Sequence, residues 1–402
     1  MSFQAQVILV PGNAQTIGPW VNATFRYQQA FKTVSITYNP GPANLCRFPV
    51  ITIVGGRDEW GRDIAAEVRQ ACPGATLDLI DVSSPHALRA VLDERVRIGK
   101  RLGDVRPEAP ALPMGRFVAG LHGRADGEMQ DADFKAVEVS KVEAVKLTTN
   151  ASPQNVARLR QINPDMFIVI RLFEDFRSPA GPRRITAEEF ANKFRPNPPG
   201  QGPTDFQRFY EQGIRYAEVH NEPNLNNEGF GGSWNSGAEF GAWYLEVIDR
   251  LRAWFPDAMW GFPGMSPGAV VPGRPQEMWD FLSQCEDAIA ASDWLGVHHY
   301  FKDLDEMADG FEHIVGEYRR RWPKKMLMVT EFSNPIKDVP KPVKGQQYVE
   351  YYRRTAQIPG VAAAFAYVVS ASDAAFQAET WREEDGSITS IAAAVGESLP
   401  IL

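Results

Sequence analysis

The chain has 402 residues, 44% of them hydrophobic and 23% charged, with a formal net charge of -8. Such a balance describes a folded globular protein and excludes disordered, collagen-like and coiled-coil chains. With 42 Lys and Arg against 50 Asp and Glu there is no basic field to collect phosphates, so nucleic acid is not an expected partner.

The N-terminus, MSFQAQVILVPG, has no basic segment followed by a long apolar run. No stretch reaches the roughly 18 apolar residues of a membrane span, so no membrane partner is expected either. As written, the sequence carries no export address and reads as cytoplasmic, unless it is a fragment of a longer secreted chain. Cys46, Cys72 and Cys285 are odd in number, far apart and without a CxxC pair, and point to neither a disulfide framework nor a zinc site.

Strand-like pieces, QVILVP and KTVSITY, open the chain, but their pairing is not readable. FPVITIVGG (48–56) reads as a buried strand, 57–71 as a helix, ATLDLID (75–81) as a strand and 84–102 as a helix. These make a small N-terminal α/β module over 1–110. VGGRDEWGRD (54–63) contains neither G-x-G-x-x-G nor G-x-x-x-x-G-K-[ST], so no nucleotide site is expected. The segment RPEAPALP (106–113), with three prolines in eight positions, reads as the junction to a second domain over 111–402.

Beyond the junction, short apolar strands alternate with amphipathic helices about eight times. The strands are RFVAGLH (116–122), EAVKLTT (143–149), MFIVIRLF (166–173), RYAEVHN (215–221), MWGFPG (259–264), WLGVHHY (294–300), MLMVTEF (326–332) and VAAAFAYVV (361–369). Eight such units close into a (β/α)8 barrel, with a doubly wound open sheet as the alternative. The basic run Arg319, Arg320 and Arg321 ends a helix, where cations suit the helix dipole.

Reactive groups of such a barrel sit at the C-terminal ends of its strands. Glu222 follows the fourth strand and Glu331 ends the seventh. Two carboxyl groups facing each other across a bond can divide the work of hydrolysis, one protonating the leaving oxygen while the other attacks carbon or activates water. Strand alternation puts Gly296, His298 and Tyr300 on one face, and Leu327, Val329 and Glu331 on another.

The Asn221-Glu222-Pro223 triplet after strand four, His298-His299-Tyr300 on strand six and Glu331 on strand seven resemble the retaining glycoside hydrolases of clan A, the cellulase and xylosidase superfamily. The resemblance covers roughly residues 114–402. It implies Glu222 as acid/base, Glu331 as nucleophile, Asn221 on the sugar 2-hydroxyl, Tyr300 on the nucleophile and His298 lining the same floor. An oligo- or polysaccharide would be the substrate, and no cofactor would be needed.

Two departures from that family stand out. Strand two ends in Lys146, Leu147, Thr148, Thr149 and Asn150 instead of supplying an arginine, a place Arg171 of strand three could fill. Strand eight ends in Val368, Val369 and Ser370 where a tryptophan is usual, with Trp381 following after a loop. His122 and Asp126, in GLHGRADG (120–127), could reach the sugar or merely shape a turn. Trp234, Phe230 and Trp381 sit in loops at the active face, where rings could stack on sugars, though Phe230 could equally be loop packing. Glu218 reads as structural, paired with Lys146 or Arg171, and Trp243, Trp254 and Trp279 as core-facing helix residues.

Two other classes compete with the retaining hydrolase: a carbohydrate-binding or scaffolding barrel without turnover, and a metal-dependent hydrolase using His122, His298 and acidic residues. The latter lacks a compact ligand cluster at a strand end, so no metal is expected. The sequence carries no signal of oligomeric state.

Overall fold

The computed structural model describes residues 5–97, 99–103, 112–179, 181–198, 201–267 and 273–399. Most of the proline-rich junction, including Pro110, lies outside them. The chain divides into two compact units, 1–109 with 317–324, and 110–316 with 325–402.

The first unit is a four-stranded sheet of β1 (Gln6–Leu9), β2 (Val34–Thr37), β3 (Val50–Val54) and β4 (Thr76–Ile80), in the order β2-β1-β3-β4. Every pairing is parallel, which resolves the two strands whose partners could not be read. A helix over Gly18–Ala30, which the sequence reading missed, packs with Pro85–Arg97 on one face, burying Trp20, Tyr27, Leu88 and Leu92. The helix expected over 57–71 is broken at Gly61, whose φ of 63° leaves the helical region.

Cys46 and Cys72 form a disulfide, Cα to Cα 5.0 Å, which corrects the expectation of none. Cys46 lies shortly before β3 and Cys72 shortly before β4. Because those strands are parallel neighbours, their entry points share one edge of the sheet, so residues 26 apart meet. Spacing alone carries no trace of that. Cys285 is free and buried.

The second unit is a closed barrel of eight parallel strands, the fold expected. They are β5 (Val118–His122), β6 (Ala144–Thr148), β7 (Phe167–Leu172), β8 (Tyr216–Val219), β9 (Met259–Phe262), β10 (Trp294–Tyr300), β11 (Met326–Ser333) and β12 (Val361–Ala366). Val118, Phe167, Val169, Trp294, Met328 and Phe365, drawn from five strands and joined by others, close its floor with apolar side chains.

The pairing of β10 with β11 slips by one residue: Val297 faces Val329, but His298 faces Glu331, leaving Thr330 unmatched. Such a slip exchanges the two faces of a strand. Met326 and Met328 therefore join the barrel floor while Glu331, of opposite parity, still turns inward to the cavity. The expected shared face of Leu327, Val329 and Glu331 is accordingly wrong. Phe332 points outward and stacks on Tyr351 of the helix Lys341–Ala356 at 3.8 Å between ring centres.

Other expected helices are present with breaks. Between β9 and β10 the helical stretch is split into Met278–Ser283 and Glu286–Ala291, and the one after β10 is interrupted by a π-helical turn at Phe311–Val315. Trp243 is buried as expected, whereas Trp254 and Trp279 are only partly so. Among the described residues, no helix is long and apolar enough to cross a membrane.

Candidate active site

A cavity of about 1000 Å³ opens at the C-terminal ends of the barrel strands, and Arg171, Asn221, Glu222, Tyr300, Glu331 and Tyr367 are in its wall. Glu331 is the most heavily partnered carboxylate there. Its Oε1 lies 3.1 Å from Arg171 Nη1 and 3.4 Å from Lys146 Nζ, while its Oε2 accepts from the Tyr300 hydroxyl at 2.7 Å. Burial alone would favour its protonated form, but His298, Lys146 and Arg171 outweigh that cost and hold its pKa far below the ordinary carboxylate value. Glu331 is thus held as an anion.

Glu222 is reached differently. Val219 ends β8, and the chain then passes through His220 at φ 81° and Glu222 at φ 35°, a left-handed geometry costly for residues other than glycine. The turn is held from several sides: Glu222 N–H donates to Gly264 O at 3.0 Å, and His220 Nε2 lies 2.7 Å from Glu228 O. The His220 ring is packed against Phe176 and Trp234, and burial pushes its pKa down to about 3. His220 is a neutral anchor for the turn that presents Glu222.

His298 Nδ1 lies 2.9 Å from Glu222 Oε1 and 3.8 Å from Glu331 Oε2. Burial opposes its protonation, but the charges of Glu331 and Glu222 prevail and raise its pKa. Gly264 makes room for that ring, since a Cβ there would lie 2.2 Å from His298 Cδ2. One oxygen of each glutamate and a His298 nitrogen all lie within 4.8 Å of one another.

That triad is the one group of potential metal ligands among the described residues. It does not include His122, and the cations Lys146 and Arg171 already occupy the surroundings of Glu331 that a metal's charge would take. The arrangement suits proton handling and nucleophilic attack better than ion binding.

Arg171 of β7 lies beside Glu331. Besides Glu331, its Nη1 reaches Asn221 Oδ1 at 2.8 Å, and Asn221 Nδ2 donates to Glu228 Oε1 at 3.2 Å. The Asn221 amide is therefore clamped at both ends. Lys146 also pairs with Glu218 at 2.7 Å, both fully buried, as the structural reading of Glu218 anticipated.

Other expected residues fall elsewhere. Asp126 lines the cavity, but its carboxylate is committed to Ser372 N–H at 2.7 Å and to Arg124 at 3.0 Å. His122 is fully buried, absent from the described cavity wall, hydrogen-bonded through Nδ1 to Gly123 O, and pushed down to about 3 by burial and by Lys146 and Arg171. It shapes the floor as a neutral ring.

Trp234 and Trp381 are both fully buried, which corrects their assignment as sugar platforms. Trp234 donates to Pro223 O at 2.7 Å within a cluster of Phe176, Phe240 and Trp243. Trp381 packs near Tyr348. Phe230 is likewise buried loop packing.

Three wall residues escaped the sequence reading. Tyr367 supplies the aromatic ring at the end of strand eight, before a cis peptide bond to Val368, one position ahead of the residues inspected there. Glu228 and Glu379 lie in loops, where no periodicity marks them; burial pushes each up to about 7.

No protein-family model matches the sequence, and no curated protein does. Solved structures match in fold. An endo-β-1,3-glucanase of GH128 subgroup II from Sorangium cellulosum is 16% identical, with a TM-score of 0.50 over 70% of this chain and 98% of its own. A glucosidase from Croceicoccus marinus is 14% identical, with a TM-score of 0.48 over 73% and 69%. A GH128 subgroup I endo-β-1,3-glucanase from Amycolatopsis mediterranei, solved with laminaritriose, is 11% identical, with a TM-score of 0.47 over 70% and 99%. At these identities the likeness is one of architecture: the second unit has the (β/α)8 barrel found in glycoside hydrolases.

Proposed function

We propose that this chain is a glycoside hydrolase of the clan A type, cleaving an oligo- or polysaccharide with retention of configuration. The observation that carries the reading is the carboxyl pair: oxygens of Glu222 and Glu331 lie within 4.8 Å at the strand ends of one cavity. Carboxyl groups about 5–5.5 Å apart suit attack on carbon, whereas about 6.5–9.5 Å is needed to seat a water between acid and base.

The asymmetry of the pair supports a division of roles. Glu331, kept ionised by two cations and oriented by Tyr300, attacks the anomeric carbon. Glu222, touching His298 and no Lys or Arg among the described contacts, protonates the departing oxygen. A glycosyl ester on Glu331 results. Glu222, now a base, then takes a proton from water as that water displaces Glu331. Asn221, clamped between Arg171 and Glu228, retains an amide hydrogen for the sugar 2-hydroxyl.

The test is turnover of a panel of aryl glycosides, joined by a β-1,3-glucan because one neighbour is a β-1,3-glucanase, by wild type, Glu222→Ala and Glu331→Ala. Glu331→Ala should abolish turnover of every glycoside. Glu222→Ala should keep the first step for leaving groups that depart unprotonated, and azide should rescue it with a product of retained configuration. Azide rescue of Glu331→Ala should give inversion. Full activity in both variants would remove the pair from the chemistry. Loss of activity in chelator would favour the metal-dependent alternative, and sugar binding without product would favour the binding barrel.

A further inference from the structure

The loop after β12 is fixed by more bonds than a surface connection needs. Lys344, fully buried on the helix Lys341–Ala356, donates to Asn334 O at 2.8 Å and to Ala378 O at 2.7 Å, tying the loop after β11 to the loop after β12. Glu379 N–H donates to Phe376 O at 2.9 Å, and Lys341 reaches Thr380 and Glu383 at 3.2 and 2.9 Å. Trp381, fully buried, fastens the same stretch through its backbone N–H, which donates to Val369 O at 3.1 Å.

What this scaffold presents is Glu379. The residue is 4% exposed and lines the same cavity as Glu222 and Glu331, but its Oε2 has no hydrogen-bond partner among the described residues. Ser333 and the charge of Lys344 favour its ionised form, while burial and the charge of Glu331 oppose it and prevail. A buried carboxyl oxygen left unpaired costs free energy that a folded protein recovers only when something occupies the space before it. Neither the catalytic pair nor the Asn221 clamp uses Glu379.

We propose that Glu379 is a specificity-determining residue whose unpaired oxygen takes a hydroxyl of the sugar in the reacting position, a hydroxyl other than the one at carbon 2. The assignment rests on the hydrolase reading above and adds to it a polar contact from the loop after the eighth strand, remote in sequence from both catalytic glutamates. A hydroxyl suits the group in either protonation state, since a carboxylate accepts from it and a carboxylic acid can also donate to it. Burial holds the group near the boundary between those states, up to about 7.

The experiment is a cycle between enzyme and substrate. The aryl glycoside that wild type turns over fastest is compared with its 3-, 4- and 6-deoxy forms, using wild type, Glu379→Gln and Glu379→Ala. Wild type should lose about 100-fold or more in kcat/KM on one deoxy glycoside, because a site built to bind a hydroxyl rejects the analogue lacking it. Glu379→Ala should lose a similar factor on the parent glycoside and almost nothing further on that one deoxy form, with Glu379→Gln in between. Should the alanine variant fail to fold, the glutamine variant carries the comparison.

Equal losses on parent and deoxy substrates, or no loss, would overturn the assignment while leaving the hydrolase reading intact. A folded wild-type chain that turns over no glycoside of the panel would overturn both.

Discussion

The hydroxyl of Tyr300 donates to Glu331 Oε2 at 2.7 Å, while Glu331 Oε1 faces Lys146 and Arg171. The two oxygens are thus held differently, Oε1 by Lys146 and Arg171 and Oε2 by the hydroxyl, with His298 Nδ1 farther off at 3.8 Å. Burial and the charge of Glu331 keep the Tyr300 pKa well above its ordinary value, so the donor persists at every working pH.

Tyr300→Phe keeps the ring and deletes the donor. A hydrogen bond to a charged group is worth about 1.5–3 kcal/mol, so kcat/KM should fall by about 10–150-fold with little change in melting temperature. Steady-state kinetics beside a thermal melt checks this. An unchanged kcat/KM would mean that the Tyr300 hydroxyl has no part in turnover.

His298 predicts a pH dependence of stability. Its folded pKa is raised above the ordinary 6.5, so folding favours the protonated ring. The contribution is fully present below about pH 6.5 and is lost as pH rises through the higher folded value. Melting temperatures of wild type and His298→Asn, measured from pH 5.5 to 9, should differ most at the acid end and converge toward the alkaline end. A gap that widens with pH would show that the ring is held neutral instead.

The fold was legible because each barrel strand is a short apolar run followed by an amphipathic helix, a pattern that chain order alone converts into parallel neighbours. Glu222 and Glu331 were legible for the same reason, both lying at strand ends. What escaped depends on tertiary detail. The unmatched Thr330 on β11 is visible only against its partner strand, so the inward turn of Glu331 was expected for the wrong parity. Glu228 and Glu379 come from loops whose paths no periodicity encodes. Trp234 and Trp381 were misplaced because a loop tryptophan looks the same in sequence whether its ring faces a cavity or a packed cluster; burial decides, and both rings are buried.

The tryptophans therefore predict a stability effect without a binding effect. Trp234→Ala should cost about 3–5 kcal/mol, as removal of large buried aromatic side chains does. Trp234→Phe, which keeps part of the ring cluster, should leave enough folded protein for kinetics and show an unaltered KM. Urea unfolding and steady-state rates separate the two. A raised KM in Trp234→Phe at unchanged stability would return the ring to the sugar.

The Cys46–Cys72 bond gives the last prediction, and it bears on the small N-terminal sheet. The bond closes a loop of 26 residues, and loop-closure entropy then predicts about 3.5 kcal/mol of stabilisation relative to the reduced chain. The bond joins the entry points of β3 and β4, so its loss should be felt first in those strands. Protein unfolded without reductant should show one titratable thiol per chain, that of Cys285, and three after reduction. Amide exchange in β3 and β4 should quicken in reductant and in Cys46→Ser/Cys72→Ser alike. A bond of this kind persists where thiols are kept oxidised, which sits uneasily with a cytoplasmic reading of the sequence. Three thiols in the unreduced, unfolded protein would dismiss the bond, and the two cysteines would then be close neighbours that remain free.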